Sequence, residues 1–293
     1  MPPMKHPSSP RRLIVNGDDF GFSSGVNQAI IAAHQRGILT STSLMVTGEA
    51  FEEAVALAKA NPTLAVGLHL VLACGRSVLS PAQIPHLVDS QGYFSNQPEK
   101  AGLYYQFNRA AQRELLLEMR AQLEKFRQTG LPLSHVDGHV HMHVQPVVLR
   151  QLVKLADTFN IRFIRLPYEE AAIALKADAS DWFIKHLLST VYAGLRCYGV
   201  YLLRSHGIQF TDRVYGLLHS GRMTEPYLLK LIPHIKANVV EIYAHPAFAV
   251  AGEPANEAFG LGEAECEALM SDRIRTMIQA QGFELTHYGR LNT

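Results

Sequence analysis

Short apolar runs alternate along the chain with longer segments that carry an apolar residue every three or four positions. Leu13-Ile14-Val15 is the first run, and it ends in Asn16-Gly17-Asp18-Asp19. That pattern predicts a buried parallel strand with polar residues at its C-terminal end. Ser23 or Ser24 can cap a following helix, with Val26, Ile30 and Ala33 on one face and Gly37 as its stop. Thr42 to Val46 reads as a second strand, Phe51, Ala54, Val55 and Ala58 stripe a second helix, and Leu64 to Leu70 reads as a third strand. Three such steps predict βα units feeding a parallel sheet.

Cys74 to Asn108 breaks this rhythm with scattered proline, glycine and aromatic residues. It is too long for a connector and reads as an insertion over a site or at a subunit contact. A long helix is expected from Ala110 to Thr129, a strand over Leu133 to Val136, a helix over Val147 to Phe159 and a strand from Phe163 to Leu166. Residues 170–235 read as mostly helical, Val239 to Tyr243 as a strand, and Glu263 to Gln281 as the last long helix. Polar clusters fall just past the apolar strands, at Asp18-Asp19, His69, His135 to His143, Arg165 and His245. In α/β barrels the strand C-termini form the catalytic face. The expected organisation is one domain over all 293 residues, with residues 1–10 as a flexible tail.

Composition narrows the function classes. Hydrophobic residues at 47% and charged residues at 18% fit a soluble globular protein. A net charge of +1 and no basic stripe give no case for nucleic acid. Three widely spaced cysteines (Cys74, Cys197, Cys266) form no C-x-x-C pair, which fits a reducing cytoplasm. The run Leu13 to Val15 is too short for a secretory signal. The most apolar later stretch, Trp182 to Leu203, is interrupted by Lys185, His186 and Arg196, so no transmembrane segment is expected. Fourteen histidines, several in one short stretch, are the first sign of chemistry.

Adjacent carboxylates Asp18 and Asp19 would point to opposite faces of a continuing strand. Both reach one site only if the strand has ended there, and Gly17 and Gly21 permit such a turn. One could then ligate a metal while the other accepts a proton from water, or either could simply cap the next helix. His69, in GLHL, alone reads more readily as a hydrogen-bonded core histidine than as a ligand. In HVDGHVHMH an extended chain would bring His135, Asp137, His139, His141 and His143 onto one face, a metal-binding pattern. Arg165 could anchor a substrate, pair with Asp18 or form a surface salt bridge, and Glu169 shares the ambiguity. His245, in YAHPA, follows the last clear strand.

With NGDDFG, GLHL, HVDGHVHMH, RLP and AHPA in this order, the chain resembles the YdjC-like carbohydrate deacetylases from Arg12 to near the C-terminus. Finer features, among them AGLYY, RLPYE and SGRMTE, resemble the hopanoid-associated HpnK subgroup. The resemblance implies a distorted (β/α) barrel that removes N-acetyl groups from amino sugars with one divalent metal ion, Mg²⁺ or Zn²⁺. It assigns Asp19, His69 and His139 as metal ligands, Asp18 as base and His245 as the best candidate for general acid, and it leaves Arg165, His143 and Glu169 as substrate-binding candidates. Gly17 stands where the family usually has Ala. The implied substrate is an N-acetylglucosaminyl group on a hopanoid lipid, with soluble chitooligosaccharide deacetylation, or a non-catalytic sugar- or metal-binding barrel, as alternatives. Aromatics from Trp182 to Leu203, with Lys185, Arg196 and Arg204 nearby, suit a lipid headgroup boundary and peripheral membrane contact, or else face the core. A homodimer is the expected assembly.

Overall fold

The computed structural model describes residues 11–253 and 261–291; the expected N-terminal tail, residues 1–10, lies outside the described residues. The strands are β1 (Arg11–Phe20), β2 (Ser41–Leu44), β3 (Ala65–Leu70), β4 (Val136–Gly138), β5 (Arg213–Tyr215), β6 (Val239–Ala244) and β7 (Phe283–Thr286). They form one sheet in the order β4-β3-β2-β1-β6-β5, and every pairing is parallel. β6 occupies one edge of β1, so β7 and β2 share the other: β7 pairs Arg11 to Ile14 and β2 pairs Asn16 to Phe20. Beyond β4, single bridges from Val136 to Ile164 and from Phe163 to Gln209 carry the sheet round towards β5. The sheet thereby curls into a distorted (β/α) barrel.

The helices are α1 (Ser24–Arg36), α2 (Phe51–Ala60), α3 (Pro98–Phe107), α4 (Arg109–Gln128), α5 (Pro146–Phe159), α6 (Ala171–Ala177), α7 (Trp182–Ser205), α8 (Glu225–Leu231), α9 (Gly262–Leu269) and α10 (Asp272–Ala280). Ser23 caps α1, its Oγ accepting from the Val26 N–H, and Gly37 follows the last turn, as the pattern predicts. Leu13, Ile14, Val15, Leu68 and Leu70 are wholly buried, so the central strands are apolar until the chain reaches their C-terminal ends.

Several elements depart from expectation. The long helix expected over 263–281 is two helices, because Ser271 leaves the helical region and its Oγ accepts from the Arg273 and Ile274 N–H groups as the cap of α10. The 74–108 insertion contains α3, whose helical character is hidden because Ala101, Gly102 and Tyr105 face inward while Leu103 and Phe107 point out. Phe163 to Leu166 makes only isolated bridges, since Pro167 ends the pairing. β5 and β7 are three and four residues long, too short for a period to show.

Candidate active site

The C-terminal ends of β1, β3, β4 and β6 meet at a cleft of about 460 Å³. Asp18 and Asp19, His69, His139 and His141, and Tyr243 and His245 line it, with Cys74, Pro98 and Glu99 from the insertion, Leu188 and Tyr192 from α7, and Leu217 and Ser220. Segment 74–108 therefore contributes part of the cleft lining.

A bulge brings both carboxylates there. From Gly17 to Phe20 β1 advances three residues while β2 advances two, from Thr42 to Leu44. Asp19 takes a left-handed conformation at φ 67°, which aspartate tolerates better than most residues. The strand thus continues through the site instead of ending before it. A Cβ on Gly17 would sit 2.9 Å from Leu39 Cδ1 and 3.0 Å from Ile30 Cγ1, so an alanine there would need these two side chains to shift by a few tenths of an ångström.

The histidine segment does not stay extended. After Gly138 the chain enters a 3₁₀ turn, His139–Val144, with Val140 at φ 45° and His141 at φ 56°. Such non-glycine residues cost about 1–3 kcal/mol each and persist where surrounding structure enforces them. The expected single face is consequently broken. His139 and His141 line the cleft, whereas His135 stacks on Tyr288 with ring centroids 4.3 Å apart. His143 is buried behind the wall, its Nε2–H donating to the Arg165 carbonyl at 3.0 Å. Burial, with Arg165 nearby and Asp137 opposing, brings its pKa down to about 4. His141 is likewise held well below the ordinary histidine range by burial and by His143; its Nε2 pairs with the Tyr243 hydroxyl at 2.9 Å.

His69 Nε2 and His139 Nδ1 face one oxygen, Asp19 Oδ1, at 3.2 and 3.0 Å. On its other side His69 Nδ1 meets Asp137 Oδ1 at 2.8 Å. Burial alone would raise the Asp137 pKa, but Arg165 and His69 outweigh it and hold the group well below the usual carboxylate range. Asp137 is therefore an acceptor and fixes a proton on Nδ1. Against burial, Asp137 and Asp19 raise the His69 pKa to about 10, so Nε2, which faces Asp19, would give up its proton to a metal ion on ligation. Two imidazole nitrogens and a carboxylate oxygen, all within 4.8 Å of one another, make a possible metal site. Ligands bonded at roughly 2.0–2.2 Å to one tetrahedral ion lie about 3.3–3.6 Å apart, so the 3.2 and 3.0 Å separations to Asp19 would have to open by only a few tenths of an ångström. Asp18, His69 and Asp137 also converge, but the two carboxylates of that set are engaged by Arg165.

Arg165 is fully buried and does not line the cleft. Its two terminal nitrogens donate to Asp18 Oδ2 and Oδ1 at 2.7 and 2.8 Å, Nη1 also meets Asp137 Oδ2 at 2.9 Å, and Nη2 reaches Glu241 Oε1 at 2.6 Å. A guanidinium so occupied has no donor fork to offer a substrate, so of the readings open for Arg165 the structure supports pairing with Asp18. Glu169 too is fully buried and outside the cleft: Oε2 accepts from the Gly216 and Leu218 N–H groups, and burial lifts its pKa to about 7 against those bonds. The three residues expected to touch substrate thus stand behind the wall.

Other contributors went unassigned in the sequence. Glu241 carried a signal, a lone carboxylate inside the apolar strand VVEIYA; it also accepts from the Tyr288 hydroxyl. Ser43, whose Oγ donates to Asp137 Oδ2 at 2.6 Å, and Asn16, which donates to Asp18 Oδ1 at 2.7 Å, carried none. His245 lies just past β6, with its backbone N–H donating to Glu265 Oε2 at 2.5 Å.

Known proteins share this arrangement of sequence. Proteins named carbohydrate deacetylase from Vibrio parahaemolyticus and Clostridium beijerinckii are 28% and 29% identical to this chain, covering 96% and 94% of it and 96% and 98% of their own lengths. One of that name from Brevibacillus brevis is 44% identical over 157 residues, 54% of this chain. The matches to the proteins of Brevibacillus, Oceanobacillus and Geobacillus take in 60%, 63% and 58% of their lengths. A crystal structure from Enterococcus faecalis, named a "putative cellobiose-phosphate cleavage protein", superposes with a TM-score of 0.72 at 27% identity, covering 97% of this chain and 99% of that one. The family described as YdjC-like protein matches residues 12–280, and the chain belongs to that family.

Proposed function

We propose that this protein is a metal-dependent carbohydrate N-deacetylase. The observation that carries the reading is the set Asp19, His69 and His139, converging on a cleft that Asp18 and His245 also line. The deacetylase names of full-length relatives support the reaction class. Asp19, His69 and His139 would hold one divalent ion, and two imidazoles with one carboxylate favour Zn²⁺ over the oxygen-preferring Mg²⁺. Once bound, the ion supplies Lewis acidity, acidifying a water and drawing charge from the acetamide oxygen.

The protein's own groups do the rest. Arg165 and Asn16 fix the Asp18 carboxylate at the cleft wall, where it accepts the proton of the attacking water. One guanidinium facing Asp18, Asp137 and Glu241 leaves net negative charge beside the site, which suits both a dication and a proton acceptor. His245 gives a proton to the departing amine, without which the amide C–N bond resists cleavage. Replacing Asp19, His69 or His139 by Ala should strip the ion while the fold persists. Elemental analysis tests this, and full occupancy in all three variants contradicts the assignment.

The substrate within this reading is an N-acetylglucosaminyl group on a hopanoid lipid, a proposal that rests on the likeness to the hopanoid-associated subgroup. Its structural support is an apolar lip. Leu188 and Tyr192 of α7 line the cleft while Trp182, Phe183, Leu187 and Tyr201 of the same helix are 53–76% exposed. Pro98 and Glu99 of α3 line it while Leu103 and Phe107 are exposed. The expected cationic partners are mostly absent from this surface. Lys185 is buried against Asp178 at 2.8 Å, and Arg196 donates to the Leu166 and Thr211 carbonyls. Contact with lipid would therefore be apolar and only weakly sensitive to salt. No helix among the described residues is long and apolar enough to cross a membrane.

A further inference from the structure

Residues 216–223 join β5 to α8 and contribute Leu217 and Ser220 to the cleft. Gly216 and Gly221 have φ of 119° and 72°. At Gly216 even a Cβ would come 2.6 Å from the Tyr243 carbonyl oxygen, so this end of the segment lies flat against the strand that carries Tyr243. The segment is held by its backbone N–H groups, from both ends, by two carboxylates of distant elements. Glu169 Oε2 accepts from Gly216 at 3.2 Å and from Leu218 at 3.0 Å. Glu265, on α9, accepts from Met223 at 2.7 Å through Oε1 and from the His245 N–H at 2.5 Å through Oε2. Both glutamates are fully buried and neither lines the cleft.

Burying two carboxylates is expensive, and an apolar core would not need them. Their placement becomes intelligible through what they hold. We propose that Glu169 and Glu265 are positioning residues that clasp the 216–223 segment as a preformed wall of the substrate cleft. Glu169 sets Leu217 and Ser220 towards the substrate, and Glu265 locks the far end of the segment to the backbone of His245. The consequence for His245 rests on the deacetylase reading; the clasp itself does not. The SGRMTE motif, which the chemistry leaves unused, is the part of the wall that Glu265 grips.

The two glutamates differ in a way that makes the proposal testable. Both backbone bonds to Glu169 fall on Oε2, while Oε1 accepts from the Tyr227 hydroxyl at 3.5 Å, so a glutamine with its oxygen at the Oε2 place keeps both backbone bonds and turns its NH₂ to a hydroxyl that can accept. Glu265 uses both oxygens, so a glutamine there turns its NH₂ towards a backbone N–H and loses one acceptor. The experiment compares Glu169→Ala, Glu169→Gln and Glu265→Gln in the full chain by amide hydrogen exchange over 216–223, by zinc content, and by kcat and KM for acetate release from an N-acetylglucosamine conjugate. Glu169→Ala should speed exchange at Gly216 and Leu218 and raise KM about tenfold with a smaller change in kcat. Glu169→Gln should restore both. Glu265→Gln should speed exchange at Met223 or His245, whichever faces the new NH₂, and lower kcat about tenfold, with zinc retained. Glu169→Gln exchanging as fast as Glu169→Ala, or Glu265→Gln matching wild type at Met223 and His245, would overturn the clasp. If Glu169→Ala does not fold, wild-type exchange and KM in Glu169→Gln together with the Glu265→Gln result decide the matter. Should the wild-type protein release no acetate, the deacetylase reading falls while the exchange data still judge the clasp.

Discussion

In Asp137→Asn the side chain keeps its size and place but exchanges one acceptor for a donor. The carboxylate now accepts two hydrogen bonds, from His69 Nδ1 at 2.8 Å on Oδ1 and from Ser43 Oγ at 2.6 Å on Oδ2, and Oδ2 also forms an ion pair with Arg165 Nη1 at 2.9 Å. An amide must choose. Turning its NH₂ towards the Arg165 guanidinium sets donor against donor beside a full charge, so the oxygen stays with Arg165 and the NH₂ faces His69. His69 Nδ1 must then accept, which moves the ring proton to Nε2, the atom aimed at Asp19. One of three donors is thereby blocked without any change in the residues that line the cleft. Lost orienting partners of this kind cost about 10–100-fold in metal affinity, or about 1.4–2.7 kcal/mol. Competition with a chromophoric chelator would measure the affinity, and ¹⁵N NMR of the imidazoles would report the tautomer. Wild-type zinc affinity, with the His69 proton still on Nδ1, would refute this account of Asp137.

Glu169 predicts a pH dependence of stability. Its pKa rises from 4.5 to about 7 on folding, so between those values the folded state binds the extra proton. Stability owed to this group is full below about 4.5 and is lost as pH rises through about 7. Urea unfolding of Glu169→Gln against wild type at several pH values should show a shallower decline over that window, and parallel curves would contradict it. On the apolar lip, replacing Phe183, Leu187 and Tyr201 together by Ser should erase a kcat/KM advantage of a glycolipid over a soluble chitooligosaccharide carrying the same sugar. A wild-type preference for the soluble oligosaccharide would reject the lipid substrate. Asp18→Asn should retain zinc yet lose about 10²–10⁴-fold in turnover; wild-type turnover would require another base.

The order of β1, β2, β3 and β6 and of α1, α2, α4 and α5 could be read in the chain because the central strands are apolar on both faces and those helices carry clear stripes. What escaped reading depended on contacts distant in sequence. The left-handed turn at Val140 and His141 is disfavoured by local preference and is imposed from outside, so the histidines looked like one extended row. The bulge at Asp19 shows only in the register against β2. Arg165 was visible, but that three carboxylates from β1, β4 and β6 converge on it is a property of the curled sheet. α7 illustrates the same limit: its aromatics were legible, yet the fate of Lys185 and Arg196 depended on Asp178 and on carbonyls of neighbouring segments.

The central claim is most directly tested by acetate release from an N-acetylglucosamine conjugate by the purified protein as zinc-loaded wild type, after chelation, and after zinc is restored. The account predicts stoichiometric acetate and free amine from the loaded enzyme, loss of turnover on chelation, and recovery with about one zinc ion per chain, none of it in His69→Ala. Acetate release undiminished by complete removal of metal, or no release from fully loaded protein across a panel of such conjugates, would contradict it.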